Sequence, residues 1–144
     1  MYKSFWAAII FVLGLVIFSA GFQIAKKDST SVNEAKIRAE LVENFRHFND
    51  GWFDGDLSQN TRIMYYNMGP DFAIGDMTSD GAGQFTIFIN SYYDRNPREA
   101  EFTEFHEMCH EAIALRGNEF EEHGPAWQGC MHRLANAGAF ENLW

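Results

Sequence analysis

The chain has 144 residues, of which 11 are basic and 20 acidic, and its formal net charge is −9. Its length corresponds to one domain, and an acidic chain is poorly suited to the phosphate backbone, so we expect no nucleic-acid partner. Aromatic residues make up 16% of the sequence, which excludes an intrinsically disordered protein.

The N-terminal stretch Phe5–Ala25 contains no charged residue. A helix of this length spans about 30 Å, which is the thickness of the hydrocarbon layer of a bilayer. We interpret residues 1–25 as the transmembrane anchor of a single-pass membrane protein, or as a signal peptide whose removal leaves a secreted or periplasmic protein. Basic residues after this stretch favour a cytoplasmic C-terminal domain, whereas a signal peptide places that domain on the other side.

Polar residues 26–31 predict a short linker, and residues 32–144 form the predicted domain. The domain begins with an amphipathic helix over Val32–Asn49, because apolar residues recur there at helical spacing. These residues are Ile37, Leu41, Phe45 and Phe48.

Three β-prone segments follow, over Thr61–Asn67, Asp71–Asp76 and Gln84–Asn90. A glycine-rich turn signal lies between the last two, so we predict a small meander of about three strands. The third segment could present a free edge to an extended peptide, but its apolar residues Phe85, Ile87 and Ile89 favour an ordinary core strand.

Two further helices are predicted, from Pro97 to about Arg116 and from Pro125 to about Gly138, each with proline near its first position. The order helix, strands, helix, helix indicates an α+β fold. The two cysteines, Cys109 and Cys130, allow one disulfide at most, and we expect two buried thiols instead.

The first of these two helices contains the motif H-E-x-x-H, formed by His106, Glu107 and His110. Residues four positions apart share one face of a helix, so both imidazoles can reach one Zn²⁺ ion. Apolar neighbours place the histidines near the interior, where metal coordination removes the cost of unpaired polar groups. The motif therefore predicts a zinc site, with Glu107 able to accept a proton from water.

A catalytic zinc ion takes three protein ligands and keeps one position open. Several downstream residues could supply the third ligand: Glu111, Glu119, Glu121, Glu122, His123 and His132. His123 is the best placed, because Gly117 ends the helix and a short loop returns the chain to the start of the next one. The metzincin spacing is excluded, because it requires histidine where Arg116 stands.

The H-E-x-x-H motif and the downstream segment His123–Trp127, which reads H-G-P-A-W, together resemble the SprT-like zinc metallopeptidase domain. Members of that family have a downstream H-G-x-x-aromatic segment whose histidine is the third zinc ligand. The segment Phe53–Leu57 is similar to the F-x-x-x-L segment found before their first strand. The resemblance covers roughly Ile37–Leu134.

This resemblance implies a zincin-like fold with zinc bound by His106, His110 and His123. It also implies a metalloendopeptidase that hydrolyses protein or peptide substrates through a zinc-activated water, with Glu107 as general base. The chain departs from the family in its added N-terminal hydrophobic segment and in having no C-x-x-C pair for a C-terminal zinc ribbon. Its acidic charge argues against the DNA-linked role of some family members.

Two other functions fit the same residues. The domain could be a membrane-tethered zinc-binding module without turnover, or a hydrolase of cell-wall peptides if it faces outward. The oxyanion of the reaction needs a donor besides zinc, and four side chains are candidates: Tyr92, Tyr93, Arg98 and His132.

Overall fold

The computed structural model describes residues 32–117, 122–141 and 143. The chain divides into two compact units, residues 1–33 and residues 34–144. The predicted anchor or signal peptide over 1–25 and the linker over 26–31 lie outside the described residues. No helix in the described part of the chain is both long enough and apolar enough to cross a membrane.

The described elements follow the predicted α+β order. Helix α1 covers residues 32–52 and buries Ile37, Leu41 and Phe45. The strands are β1 (Arg62–Tyr66), β2 (Gly75–Ser79) and β3 (Phe85–Asn90), and they are followed by helices α2 (Pro97–Leu115) and α3 (Pro125–Asn136). Three helices and one three-stranded sheet therefore make up this part of the structure.

The sheet is mixed, and the predicted meander is wrong. The strand order is β1-β3-β2, with β3 parallel to β1 and antiparallel to β2. Strand β3 takes the centre because Phe85, Ile87 and Ile89 are all buried, which suits a strand that is paired on both sides. The favoured interpretation of this segment as a core strand is therefore confirmed, and the possibility that it offers a free edge is excluded.

Strand β2 begins later than predicted because the fully buried Asn90 fixes the preceding loop. Its side-chain amide donates to the carbonyls of Gly69 (2.9 Å) and Ala73 (3.2 Å), and its Oδ1 accepts from the backbone N–H of Met68 (3.0 Å). These contacts hold residues 68–73 in an irregular path. The β-prone residues at the start of the predicted segment consequently lie in a loop.

Helix α2 begins and ends as the sequence predicts. Asn96 caps its start by accepting a hydrogen bond from the backbone N–H of Glu99 (3.1 Å), and Pro97 occupies the first turn. Gly117 follows the helix with φ of +71°, a conformation that glycine adopts without steric cost. The helix packs against β2, β3 and α3.

Cys109 of α2 and Cys130 of α3 form a disulfide, so the expectation of two buried thiols is wrong. The two residues lie 21 positions apart, and they meet only because α2 and α3 pack against each other. The spacing of the two cysteines in the sequence does not predict this contact between the helices.

Candidate metal centre

Three histidine rings converge between the middle of α2 and the start of α3. His106 and His110 lie one turn apart on α2, and His123 lies just before α3. One ring nitrogen from each histidine lies within 4.8 Å of the other two. The Nε2 atoms of His106 and His123 are 3.0 Å apart.

These distances fit a common metal ion. Two nitrogens bound at about 2.0–2.1 Å to a tetrahedral ion lie about 3.3 Å from each other. Small movements of the rings are therefore enough to complete the site. In the part of the chain that the structure describes, this is the one group of three or more such side chains whose ligand atoms converge.

Burial and mutual repulsion keep the histidines of α2 neutral. Burial, together with the nearby His110 and His123, lowers the pKa of His106 to about 4. Burial and His123 also lower the pKa of His110. A neutral imidazole has a free lone pair, which is the form that binds a metal ion.

Trp127, the aromatic residue of the H-G-x-x-W segment, packs against all three rings. Its ring centroid lies 4.6 Å from that of His106, 5.8 Å from that of His110 and 4.5 Å from that of His123. Its indole N–H donates to the backbone carbonyl of His106 at 3.3 Å. The indole thus covers the site on the α3 side and connects α3 to the backbone of α2.

Glu107 lies beside the histidines and is only 4% exposed. Its Oε1 is 4.0 Å from Nε2 of His106. Burial, followed by the negative charge of Asp76 on β2, raises the pKa of the Glu107 carboxyl to about 8. A group that titrates near neutral pH can accept a proton and release it again.

Gly75, the first residue of β2, lets the strand approach Glu107 closely. A Cβ atom at Gly75 would lie 2.5 Å from Oε1 of Glu107 and 2.5 Å from Cγ2 of Thr103. A side chain at Gly75 would require Glu107 or Thr103 to move, and Gly75 forms part of the wall of the cleft beside them. Sequence reasoning missed Gly75 and Asp76, although a glycine inside a β-prone segment is a signal of close backbone approach.

An open cleft of about 730 Å³ adjoins His106 and Glu107. Residues from β2, α2 and the loops form its wall, and they include Ile74, Gly75, Asp94, Arg98, Phe102 and Leu143. Ile74 is 52% exposed, so the cleft has an apolar rim beside the histidines.

The other described residues considered as a third metal ligand do not join the three histidines. The carboxylate of Glu111 accepts hydrogen bonds from the N–H of Ser58 (2.9 Å) and the hydroxyl of Thr61 (2.8 Å), so it fastens the loop before β1. Glu122 is exposed, and its negative charge partly offsets the lowering of the His110 pKa that burial and His123 cause. Glu119 and Glu121 lie outside the described residues.

Of the four candidates for an oxyanion donor, only Arg98 lines the cleft. The hydroxyl of Tyr93 donates to the carbonyl of Pro70 at 2.7 Å, and Tyr92 packs edge-on against Tyr93. His132 is exposed on α3.

Comparisons of the chain with models of protein families, with curated proteins and with solved structures gave no significant match. The site is therefore interpreted from its own geometry and from the sequence motifs.

Proposed function

We propose that this chain is a zinc-dependent metallopeptidase with a zincin-like, SprT-like domain. The observation that carries the proposal is the convergence of His106, His110 and His123 within 4.8 Å, with the carboxyl of Glu107 beside them. The α+β order and the H-E-x-x-H and H-G-x-x-W segments support the family assignment.

The donor set favours zinc in a catalytic rather than a structural role. Three imidazole ligands and one open position are typical of a catalytic zinc ion, whereas structural sites have four protein ligands. When bound, zinc lowers the pKa of a coordinated water toward 7 and polarises the scissile carbonyl. His106, His110 and His123 would hold the ion, and the hydrogen bond from Trp127 to the carbonyl of His106 would help to fix the α2 backbone there.

Glu107 acts as the general base. Its carboxylate accepts a proton from the attacking water and passes that proton to the leaving amine. Its burial against Gly75 keeps the carboxyl at one place on the wall of the cleft. Arg98 is the candidate that can contribute positive charge toward a substrate in the cleft, because its side chain forms part of the wall.

The free edge of β2 supports an extended peptide as substrate. Hydrogen bonds from Asn90 N–H to the carbonyl of Ile74 (2.8 Å) and from Asp80 N–H to the carbonyl of Gln84 (3.1 Å) set the pairing with β3. In this antiparallel register the even-numbered residues of β2 bond to β3, and the odd-numbered ones direct their N–H and C=O groups outward.

The outward groups begin at Gly75, directly beside Glu107. No described residue pairs with this edge. A peptide added to the edge as a further strand would therefore pass the carboxyl of Glu107 and place a side chain at the apolar rim of the cleft.

The first experiment compares zinc content and peptide hydrolysis in the full-length wild type, Glu107→Gln and His123→Ala. We expect Glu107→Gln to retain zinc and lose hydrolysis by at least about 100-fold, because an amide cannot act as a base. We expect His123→Ala to lose zinc affinity, because only two ligands remain. Glu43→Gln, an exposed position on α1, is the matched control and is expected to behave as the wild type.

The result also separates the alternatives. Equal hydrolysis by wild type and Glu107→Gln would exclude the proposed base. Zinc binding by the wild type without hydrolysis of a peptide library or of cell-wall peptides, each compared with a chelator-treated sample, would instead identify a zinc-binding module without turnover.

A further inference from the structure

The disulfide joins the two helices that supply the metal ligands. Cys109 lies on α2 between His106 and His110 and is completely buried. Cys130 lies in α3, seven positions after His123, and is partly buried. The covalent bond therefore connects the helix that carries two ligands to the helix that follows the third.

His123 depends on α3 for its position. It lies beyond the end of α2, and its backbone carbonyl accepts a hydrogen bond from the side-chain amide of Gln128 in α3 (2.9 Å). The direct polar link from α3 to the α2 backbone is the Trp127 hydrogen bond, which is long at 3.3 Å. Besides the 3.0 Å contact between the rings of His106 and His123, the disulfide is the covalent constraint that ties the His123 side of the site to the two ligands on α2.

We propose that the Cys109–Cys130 disulfide is a positioning element for His123 and makes metal binding sensitive to reduction. A dithiol reductant breaks the S–S bond by supplying two electrons and two protons. Both cysteines then become thiols, and the dithiol becomes a disulfide. Attack begins at the sulfur of Cys130, because Cys109 is completely buried. Without the bond α3 moves more freely relative to α2, and the third ligand is held less firmly.

The proposal has a consequence for the compartment in which the protein works. Disulfides persist in oxidising environments and are rare in the cytosol. A metal centre that depends on this disulfide would therefore work on the outer side of a membrane, in the periplasm or in the extracellular space. This agrees with the alternatives in which residues 1–25 deliver the domain across a membrane, and it disfavours a cytoplasmic domain.

The inference rests on the proposed metal centre but not on hydrolysis, so it is tested by metal binding. Full-length wild type is prepared oxidised, reduced with a water-soluble phosphine that is removed before titration, and reoxidised. Zinc affinity is measured by competition with a chromophoric chelator, and the visible absorption of bound Co²⁺ reports the ligand set. Cys109→Ala/Cys130→Ala is titrated in parallel.

We expect reduction to weaken zinc binding by about 10–100-fold, which is the usual effect of losing a group that orients a ligand. We expect Co²⁺ absorption to change, reoxidation to restore both properties, and the double variant to match the reduced wild type under all conditions. Equal affinity and equal Co²⁺ spectra before and after reduction, with helix content retained, would overturn the proposal.

Circular dichroism checks that each sample is folded. If reduction unfolds α3, the titration is repeated with the Gly129→Ala variant, because alanine stabilises the interior of the helix. Weaker zinc binding after reduction of that variant supports the proposal, and equal binding contradicts it. An oxidised wild type that binds no metal would refute the metal centre itself. Equal binding in both redox states would refute only the positioning role.

Discussion

Replacing Gly75 with alanine tests the packing between the edge strand β2 and the carboxyl of Glu107. The added Cβ would lie 2.5 Å from both Oε1 of Glu107 and Cγ2 of Thr103, whereas ordinary contacts of this kind are 3.4–4 Å. The methyl group therefore overlaps each neighbour by about 1 Å. Both neighbours are buried, so either β2 moves away from α2 or the carboxyl is displaced.

The cost follows from the size of that overlap. Overpacking in a well-packed region costs about 1–3 kcal/mol in the free energy of unfolding. In a domain of this size each kcal/mol lowers the Tm by about 4 °C, so we expect a decrease of about 4–12 °C. If the proposed function is correct, hydrolysis should fall further than the loss of folded protein explains, because the proposed general base Glu107 is displaced.

Gly129→Ala is the matched control for this substitution. Gly129 lies inside α3, and an added Cβ there meets no atom within 4 Å. Alanine is a better helix former by about 1 kcal/mol, so this variant should be more stable than the wild type. Urea unfolding of both variants, followed by circular dichroism, gives the two free energies.

Both variants replace glycine with alanine, but Gly75→Ala is expected to lower the free energy of unfolding and Gly129→Ala to raise it. A Gly75→Ala protein as stable and as active as the wild type would show that β2 does not press against Glu107. An equal change in the free energy of unfolding of both variants would also contradict the reasoning, because of the two glycines only Gly75 is crowded by its neighbours.

Two further predictions concern stability. Asn90→Ala should cost about 2–4 kcal/mol in urea unfolding, because the backbone groups of Met68 and Gly69 lose their buried partners, and a loss under 1 kcal/mol would contradict this account. Asp94 is buried with Oδ2 unpaired, and burial raises the pKa of its carboxyl. The folded state therefore favours the protonated form, and stability is lost as pH rises above the unfolded pKa, by at most about 1.4 kcal/mol per pH unit. Asp94→Asn should remove that loss, so the stability of the variant relative to the wild type should rise as the pH increases above the ordinary pKa of an aspartate. Parallel pH profiles of the two proteins would refute the assignment.

Local spacing was sufficient to predict the part of the site that lies on α2. His106 and His110 share a face because they are four residues apart in one helix, and no tertiary contact changes that. The start of α2 was also predictable, because the Asn96 cap and Pro97 act within one turn. The position of His123 could be predicted only by recognising that Gly117 ends α2 and that a short loop leads back to α3.

The presence of three strands could be predicted from the sequence, but their order in the sheet could not. The turn at Ser79–Gly83 acts locally and pairs β2 with β3, as predicted. The pairing of β1 with β3 joins residues more than 20 positions apart, and it depends on which strand buries more of its surface. The free edge consequently lies on β2 rather than on the strand before α2.

The α+β order, the three histidines and the glutamate among them can be predicted from the sequence, because those features depend on composition, periodicity and short spacing. Three other features become visible in the folded chain: the contact of Gly75 with Glu107, the open edge of β2 and the bond between Cys109 and Cys130. Each of these depends on segments distant in the chain coming into contact. Such contacts are selected by the packing of the whole core, which no short stretch of sequence specifies.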